Sequence, residues 1–210
     1  MTLRVKICGM ASVQDVKTCA AAGADALGFI FASSPRKLRV AEARVLTDAA
    51  PLHVMTVGVF ANDPADLVAI AVAQCRLDVL QFCGDEPAEY AGSFGKPTIL
   101  GSRRRIYSTV ELRAANAIAV LVDADDPERF GGTGKIVDAA TFVKLRGSQG
   151  GVRAILAGGL TPANVAQHIG ELRPDAVDAR SGIERDGRKE PALARAFVAA
   201  ARAAFGEERR

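Results

Sequence analysis

A thiol, a carboxylate, an arginine and two glycine corners are the parts of this 210-residue sequence that could do chemistry. Cys8 ends the apolar run RVKIC and is followed at once by Gly9, and Asp123 ends the run AIAVLV. A thiol serves as a base when partly ionised, and a carboxylic acid donates a proton when its surroundings raise its pKa. Each has a plainer reading. A lone Cys is as readily a small core residue, and Asp123-Ala124-Asp125-Asp126-Pro127 also reads as a turn with capping carboxylates. Ala157-Gly158-Gly159 and Arg180-Ser181-Gly182 follow the last two apolar runs. Glycines let backbone N–H groups approach an anion closely, so the two corners together favour a phosphate site over two tight turns. Ser33-Ser34-Pro35-Arg36 and Cys83-Gly84-Asp85 follow earlier runs and complete the set.

Other motifs carry less. Phe130-Gly131-Gly132-Thr133-Gly134-Lys135 looks like a nucleotide-binding loop, but that loop needs Gly at position 129 and Ser or Thr at 136, where this chain has Arg129 and Ile136. A loop covering the substrate is the better reading. The cysteines are separated by eleven, fifty-six and eight positions, with no paired spacing for zinc. Cys19, Cys75 and Cys83 read as core residues, and His53 and His168 fall away from the ends of the apolar runs where catalysis is expected. Arg103-Arg104-Arg105 reads as a solvated loop.

Those corners need a scaffold. Eight apolar runs are the expected strands: 4–7, 26–31, 53–60, 79–82, 97–100, 117–122, 153–156 and 176–179. They are almost continuously hydrophobic, as buried parallel strands are. Helix starts lie between them: Ser12 with Asp15, Asn62-Asp63-Pro64, Asp85-Glu86-Pro87, Thr161-Pro162 and Pro191. Strict alternation in units of about 26 residues predicts a single (β/α)8 barrel domain over residues 1–210. A dinucleotide-binding sheet is weaker, because no Gly-x-Gly-x-x-Gly follows the first run. In a barrel the residues just after each strand form the active site, which is where the candidate chemistry stands.

Composition narrows the partners. Aromatics make up 5% of the chain, with no Trp, so a base-stacking surface would lack its platforms. The net charge of +3 suits a small anionic substrate rather than a polyanion. No stretch is long and apolar enough to span a membrane, and nothing resembles a secretory leader. The expectation is a cytoplasmic protein with reduced thiols, a monomer being favoured although the sequence does not fix the oligomeric state. It shows no spacing for a metal site, binds a phosphorylated small molecule, and has no nucleic-acid or membrane partner.

The strand ends also match a family. Val5-Lys6-Ile7-Cys8-Gly9-Met10, Ser34-Pro35-Arg36, Val57-Gly58-Val59-Phe60, Gly84-Asp85-Glu86, Gly131-Gly132-Thr133-Gly134-Lys135, Leu156-Ala157-Gly158-Gly159-Leu160-Thr161-Pro162 and Ser181-Gly182-Ile183-Glu184 follow one another as in the phosphoribosylanthranilate isomerases. The chain resembles that family from residue 4 to about residue 190. The resemblance implies a cofactor-free Amadori rearrangement in tryptophan biosynthesis. It makes Cys8 the general base and Asp123 the general acid. Arg36 would hold the anthranilate carboxylate, and Gly158, Gly159, Ser181 and Gly182, with Gly84, would bind the rest of the substrate.

The chain departs from the family pattern at several strand ends. Cys83 stands where His is usual, Val137 and Ala139 where Phe and often Trp are usual, Gly101 where Lys is frequent, and Arg180 where Ser is commoner. These changes thin the apolar and aromatic contacts expected around the substrate ring. They keep two other readings open: a related barrel acting on another phosphorylated ribosylamine, and a phosphate-binding protein without activity. The first would want an Asp in place of Cys8, and the retained Cys8, Arg36 and Asp123 count against the second.

Overall fold

Each apolar run becomes a strand buried along nearly its whole length. In the computed structural model, which describes residues 3–102, 105–123, 139–147 and 151–206, these are β1 (Val5–Cys8), β2 (Ala26–Ile30), β3 (Met55–Phe60), β4 (Val79–Phe82), β5 (Thr98–Gly101), β6 (Ala117–Val122), β7 (Arg153–Leu156) and β8 (Ala176–Ala179). They pair in parallel in chain order, and β8 returns to β1 with Lys6 beside Asp178 and Ile7 beside Ala179. The barrel is closed, so no edge is left unpaired. The strands agree with the sequence reading to within two residues. His53 is the exception in kind: it lies exposed in the turn before β3.

The helices α1 (Val13–Ala21), α2 (Val40–Asp48), α3 (Ala65–Gln74), α4 (Ala88–Gly92), α5 (Thr109–Ala114), α6 (Ala139–Gly147), α7 (Val165–Leu172) and α8 (Pro191–Ala204) alternate with the strands. Their starts follow local chemistry. Ser12 accepts the Asp15 N–H at 3.0 Å, and Ser108 and Glu111 cap α5 reciprocally. Glu190 accepts from the Ala192 and Leu193 amides, with Pro191 at the first position of α8. α7 begins at Val165, three residues past Pro162, because Asn164 holds a turn there by accepting the Thr161 N–H.

Strand alternation sorts the side chains into two cores. Outward residues such as Val5, Ile7, Leu80, Phe82, Val120, Val122 and Val177 pack beneath the helices. The row Phe31, Phe60, Phe82, Phe94 and Tyr90 belongs to this shell, with successive ring centroids 4.9–6.1 Å apart. Inward residues form a floor of Ala26, Val57, Val79, Ile99, Ala119, Ile155 and Ala176 and, above it, a layer that includes Cys8, Ile30 and Val59.

A repeated device closes the bottom of the barrel. Asp25, Asp78 and Asp175, each just before a strand, accept backbone N–H groups of the preceding strand region: Val5 at 2.8 Å, Thr56 at 2.8 Å and Ala154 at 2.9 Å. At the other end, β8 runs through a 3-10 turn, Ser181–Ile183, into a hairpin of β9 (Glu184–Arg185) and β10 (Arg188–Lys189). Asp186 and Gly187 make its turn with positive φ. The strand–helix reading did not anticipate this hairpin.

Candidate active site

Strand parity delivers the site. With Val5 and Ile7 facing outward, Lys6 and Cys8 face the barrel interior. The same alternation turns Gln81, Cys83, Asp123, Ala157, Asp178 and Arg180 inward or just above the inward layer. A cavity of about 650 Å³ opens at the C-terminal ends of the strands, and all of these residues except Lys6 line it. Gly158, Gly159, Ser181 and Gly182 form one side, and Ile30, Val59, Leu121 and Leu160 supply its larger apolar walls. Among the described residues no aromatic side chain reaches it.

Cys8 is buried. Gly28 on β2 makes room for it, since a Cβ there would stand 2.7 Å from the Cys8 Sγ. Burial pushes the Cys8 thiol above its ordinary value; Lys6, and more weakly Lys189 and Arg180, pull it back, while Asp178 pushes it further up. Lys6 lies fully buried below it, its Nζ 2.7 Å from Asp178 Oδ2. Burial favours the neutral amine, but the Asp178 charge and hydrogen bond outweigh it and hold Lys6 above the usual lysine range. The other Asp178 oxygen, Oδ1, and Gln81 Oε1 are buried and have no hydrogen-bond partner among the described residues. A hydroxyl-bearing ligand in the cavity would meet two ready acceptors.

Asp123 is half-buried and stands one residue past β6. The cavity thus gathers six of the eight residues given catalytic or binding roles from the sequence, Cys8, Asp123, Gly158, Gly159, Ser181 and Gly182, together with Ser33, Ser34, Pro35 and Arg180 from the same strand ends. Gly158 and Gly159 adopt positive φ (87° and 58°), which shapes that corner without side chains. At Gly182 a Cβ would stand 1.9 Å from the Leu160 carbonyl oxygen, so the corners after β7 and β8 touch backbone to backbone.

Arg36 and Gly84 do not line the cavity. The Arg36 guanidinium donates to the Gly9 carbonyl at 2.8 Å and to the Gly187 carbonyl, lies 3.1 Å from Glu184 Oε2, and has Asp15 Oδ2 at 3.8 Å. It braces the hairpin against the loop after β1. Gly84 gives room to Asn62, whose Oδ1 would stand 2.4 Å from a Cβ there and accepts the Asp85 N–H.

Among the cysteines, Cys19 and Cys75 lie in the outer core as expected. Cys83 is corrected: it lines the cavity because its parity matches Gln81, whose Nε2 donates to its Sγ at 3.1 Å. Burial pushes its thiol up to about 12. Inward parity also marks Lys6, Gln81 and Asp178, to which the sequence reading gives no role, and of the two readings open for Arg180, a charge at the phosphate corner or an outward side chain, its place in the cavity wall agrees with the first. The glycine-rich loop 131–135, Arg103, Arg104 and Val137 lie outside the described residues. No group of metal-ligating side chains and no helix long and apolar enough to cross a membrane occurs among the described residues.

Comparison with known proteins gives a consistent match. Residues 5–200 match the family model described as N-(5'phosphoribosyl)anthranilate (PRA) isomerase. The N-(5'-phosphoribosyl)anthranilate isomerase of Moorella thermoacetica is 42% identical over 205 residues, 96% of this chain and 91% of that protein. The crystal structure of phosphoribosyl anthranilate isomerase from Thermus thermophilus superposes with a TM-score of 0.81 at 35% identity, covering 95% of this chain and 98% of that one. A further phosphoribosyl anthranilate isomerase, crystallised with reduced 1-(o-carboxyphenylamino)-1-deoxyribulose 5-phosphate, superposes with a TM-score of 0.76 at 27% identity, covering 96% and 99%.

Proposed function

The chain belongs to the N-(5'-phosphoribosyl)anthranilate isomerase family, and we propose that the cavity at the mouth of its barrel is where that isomerisation takes place. It is an isomerase of tryptophan biosynthesis. The reaction is the Amadori rearrangement of N-(5'-phosphoribosyl)anthranilate to 1-(2-carboxyphenylamino)-1-deoxyribulose 5-phosphate. The related-barrel and non-catalytic readings gain no support from the relatives.

Two proton transfers define the chemistry. Asp123 as general acid protonates the furanose ring oxygen; the C1'–O bond breaks and the anilino nitrogen's lone pair forms the Schiff base. Cys8 as thiolate then removes the C2' proton, and the C2'–H electrons move toward nitrogen to give the enolamine. That species gains a proton at C1' and loses one from the 2'-hydroxyl to become the ketone. Ring opening calls for an acid and C2' deprotonation for a base, so two groups of different type suit the task. The single observation that carries this assignment is the convergence of Cys8 and Asp123 on one cavity with the Gly158–Gly159 and Ser181–Gly182 corner.

The substrate's phosphate would sit at that corner, held by the backbone N–H groups of Gly158, Gly159 and Gly182, where positive φ at the first two shapes the turn. A phosphorylated small molecule is accordingly the partner. The buried Gln81 and Asp178 acceptors face the same space and suit ribose hydroxyls.

The test follows the loss of substrate fluorescence on turnover. Cys8→Ala and Asp123→Asn should each lower kcat by roughly a hundred- to ten-thousandfold, with the unfolding midpoint little changed. Turnover within a few-fold of the unaltered protein in either variant refutes that residue's role.

A further inference from the structure

Lys189 does not line the cavity, and its side chain is fully buried beneath the hairpin. Three hydrogen bonds hold it there. Its ammonium donates to Glu184 Oε1 at 2.8 Å and to the Arg180 carbonyl at 2.9 Å, and its backbone N–H donates to Asp15 Oδ1 at 3.3 Å. The other Asp15 oxygen accepts the Ala11 N–H at 3.0 Å, in the turn after β1. A buried ammonium is tolerated when it is paired, and Glu184 supplies the pair. The bond to the Arg180 carbonyl does something else.

Arg180 is where β8 leaves the barrel. Its strand ladders have already ended, at Val177 with β7 and at Ala179 with β1. Its ψ is −84°, where a parallel strand holds about +115°, so the Arg180–Ser181 peptide is turned over relative to a strand that ran on. A trans peptide is planar, and its C=O and N–H point in opposite directions. The Arg180 carbonyl points to Lys189, behind the cavity wall. The Ser181 N–H of the same peptide therefore points the other way, toward the cavity that Arg180, Ser181 and Gly182 line. That N–H has no hydrogen-bond partner among the described residues.

A cation on the carbonyl oxygen also polarises the peptide and strengthens its N–H as a donor. A peptide turned the opposite way would aim a carbonyl oxygen at the same space and repel an anion there. We propose that Lys189 is a positioning residue for the substrate's phosphate: by holding the Arg180 carbonyl behind the wall, it fixes the Ser181 N–H on the phosphate corner, beside the N–H groups of Gly158, Gly159 and Gly182. This inference rests on the isomerase reading above, and it concerns a side chain that does not itself touch the substrate.

The experiment uses Lys189→Met and Lys189→Gln, two neutral variants of different shape, so that one remains informative if the other folds poorly. Measured are kcat and KM, inhibition by inorganic phosphate at fixed ionic strength, and inhibition by the reduced product without its phosphate, 1-(2-carboxyphenylamino)-1-deoxyribitol. Lys189 also favours the Cys8 thiolate, so kcat is compared at the optimum pH of each protein. KM and the phosphate inhibition constant should rise together by about tenfold to a hundredfold, the size of one charge-assisted hydrogen bond. The value of kcat should stay within about threefold, and inhibition by the phosphate-free compound should be unchanged. In protein labelled with 15N at serine, the Ser181 amide signal is assigned by its loss in Ser181→Ala. Phosphate should move that amide proton downfield in the unaltered protein and leave it in place in both neutral variants.

A folded neutral variant whose KM and phosphate inhibition stay within about twofold of the unaltered protein overturns the proposal. So does a Ser181 signal that still moves with phosphate in the variants, or an equal loss for the phosphate-free compound; either would make Lys189 a structural residue alone. If the unaltered protein neither turns over substrate nor is inhibited by phosphate, the isomerase reading fails and this inference falls with it. If it does both and position 189 has no effect on them, only this inference fails.

Discussion

The two ends of this barrel use the same residue types in opposite ways. At the floor, Asp25, Asp78 and Asp175 each accept a backbone N–H at 2.8–2.9 Å, and Asp25 also pairs with Arg202 at 2.6 Å. The buried side chains packed between them are aliphatic, chiefly Ala, Val, Ile and Leu. At the mouth, Asp178 and Gln81 each keep a buried oxygen without a partner among the described residues, and the buried Cys8 thiol and Arg180 line the same space. Burying an unsatisfied polar atom costs about 1–3 kcal/mol, so the mouth is held at the expense of stability and the floor supplies it. The difference separates residues that keep the barrel closed from residues that wait for a ligand.

The sharpest way to break that division is to disturb the one strong pair near the mouth. Lys6 and Asp178 form a buried ion pair across the β1–β8 seam. Removing one partner from such a pair costs about 3–5 kcal/mol, whereas replacing both with apolar residues is often neutral or stabilising. Lys6→Met should therefore lower stability to urea by about that amount, and Lys6→Met/Asp178→Leu should recover it. Turnover should stay depressed in the double variant, because Cys8 has lost the cation that most favours its thiolate. A double variant with both stability and turnover restored would make the pair purely structural and erase the contrast.

A change at the floor should do the reverse with a smaller effect. Asp175→Ala leaves the Ala154 N–H at the start of β7 without its acceptor. The expected loss is about 1–3 kcal/mol, read from a urea unfolding curve, with kcat/KM for the isomerisation unchanged at a temperature where the protein stays folded. A fall in kcat/KM with stability intact would show that the floor carries function as well.

How much of this was legible in the sequence follows the same division. The barrel was legible because eight buried runs repeat with glycines, prolines and Asp or Asn between them, and those are local signals. Cys8 and Asp123 could be singled out because a strand end is visible in a linear pattern. The linear pattern leaves Gln81 unassigned, puts Cys83 in the core and leaves Arg180 between the phosphate corner and solvent, although stepping by two from Val79 along β4 and from Asp178 along β8 identifies the inward face. What hid them is that each competes with a plausible core or solvent reading until the neighbouring strands fix parity. The occupation of Arg36 was invisible for another reason: its partners, Glu184 and Gly187, lie about 150 residues away on a hairpin with no strand-like run.

The smallest expected effect is a displacement along the pH axis, and it probes the mouth most directly. A general base must be deprotonated to work, so kcat/KM should rise with pH through the Cys8 pKa of the free enzyme. Burial raises that pKa above the ordinary thiol value of 9.0, which places the ascending limb in the alkaline range. Lys6 favours the thiolate and Asp178 opposes it, with Lys6 the stronger influence. Removing both in Lys6→Met/Asp178→Leu should therefore move the limb to still higher pH, by less than removing Lys6 alone. The measurement is kcat/KM against pH at fixed ionic strength for both proteins, with thiol ionisation followed by absorbance near 240 nm as a readout independent of turnover. A limb that stays in place, or moves to lower pH, would mean that the buried cation does not act on the Cys8 thiolate. Lys6 would then join the floor residues as a part of the barrel's closure alone.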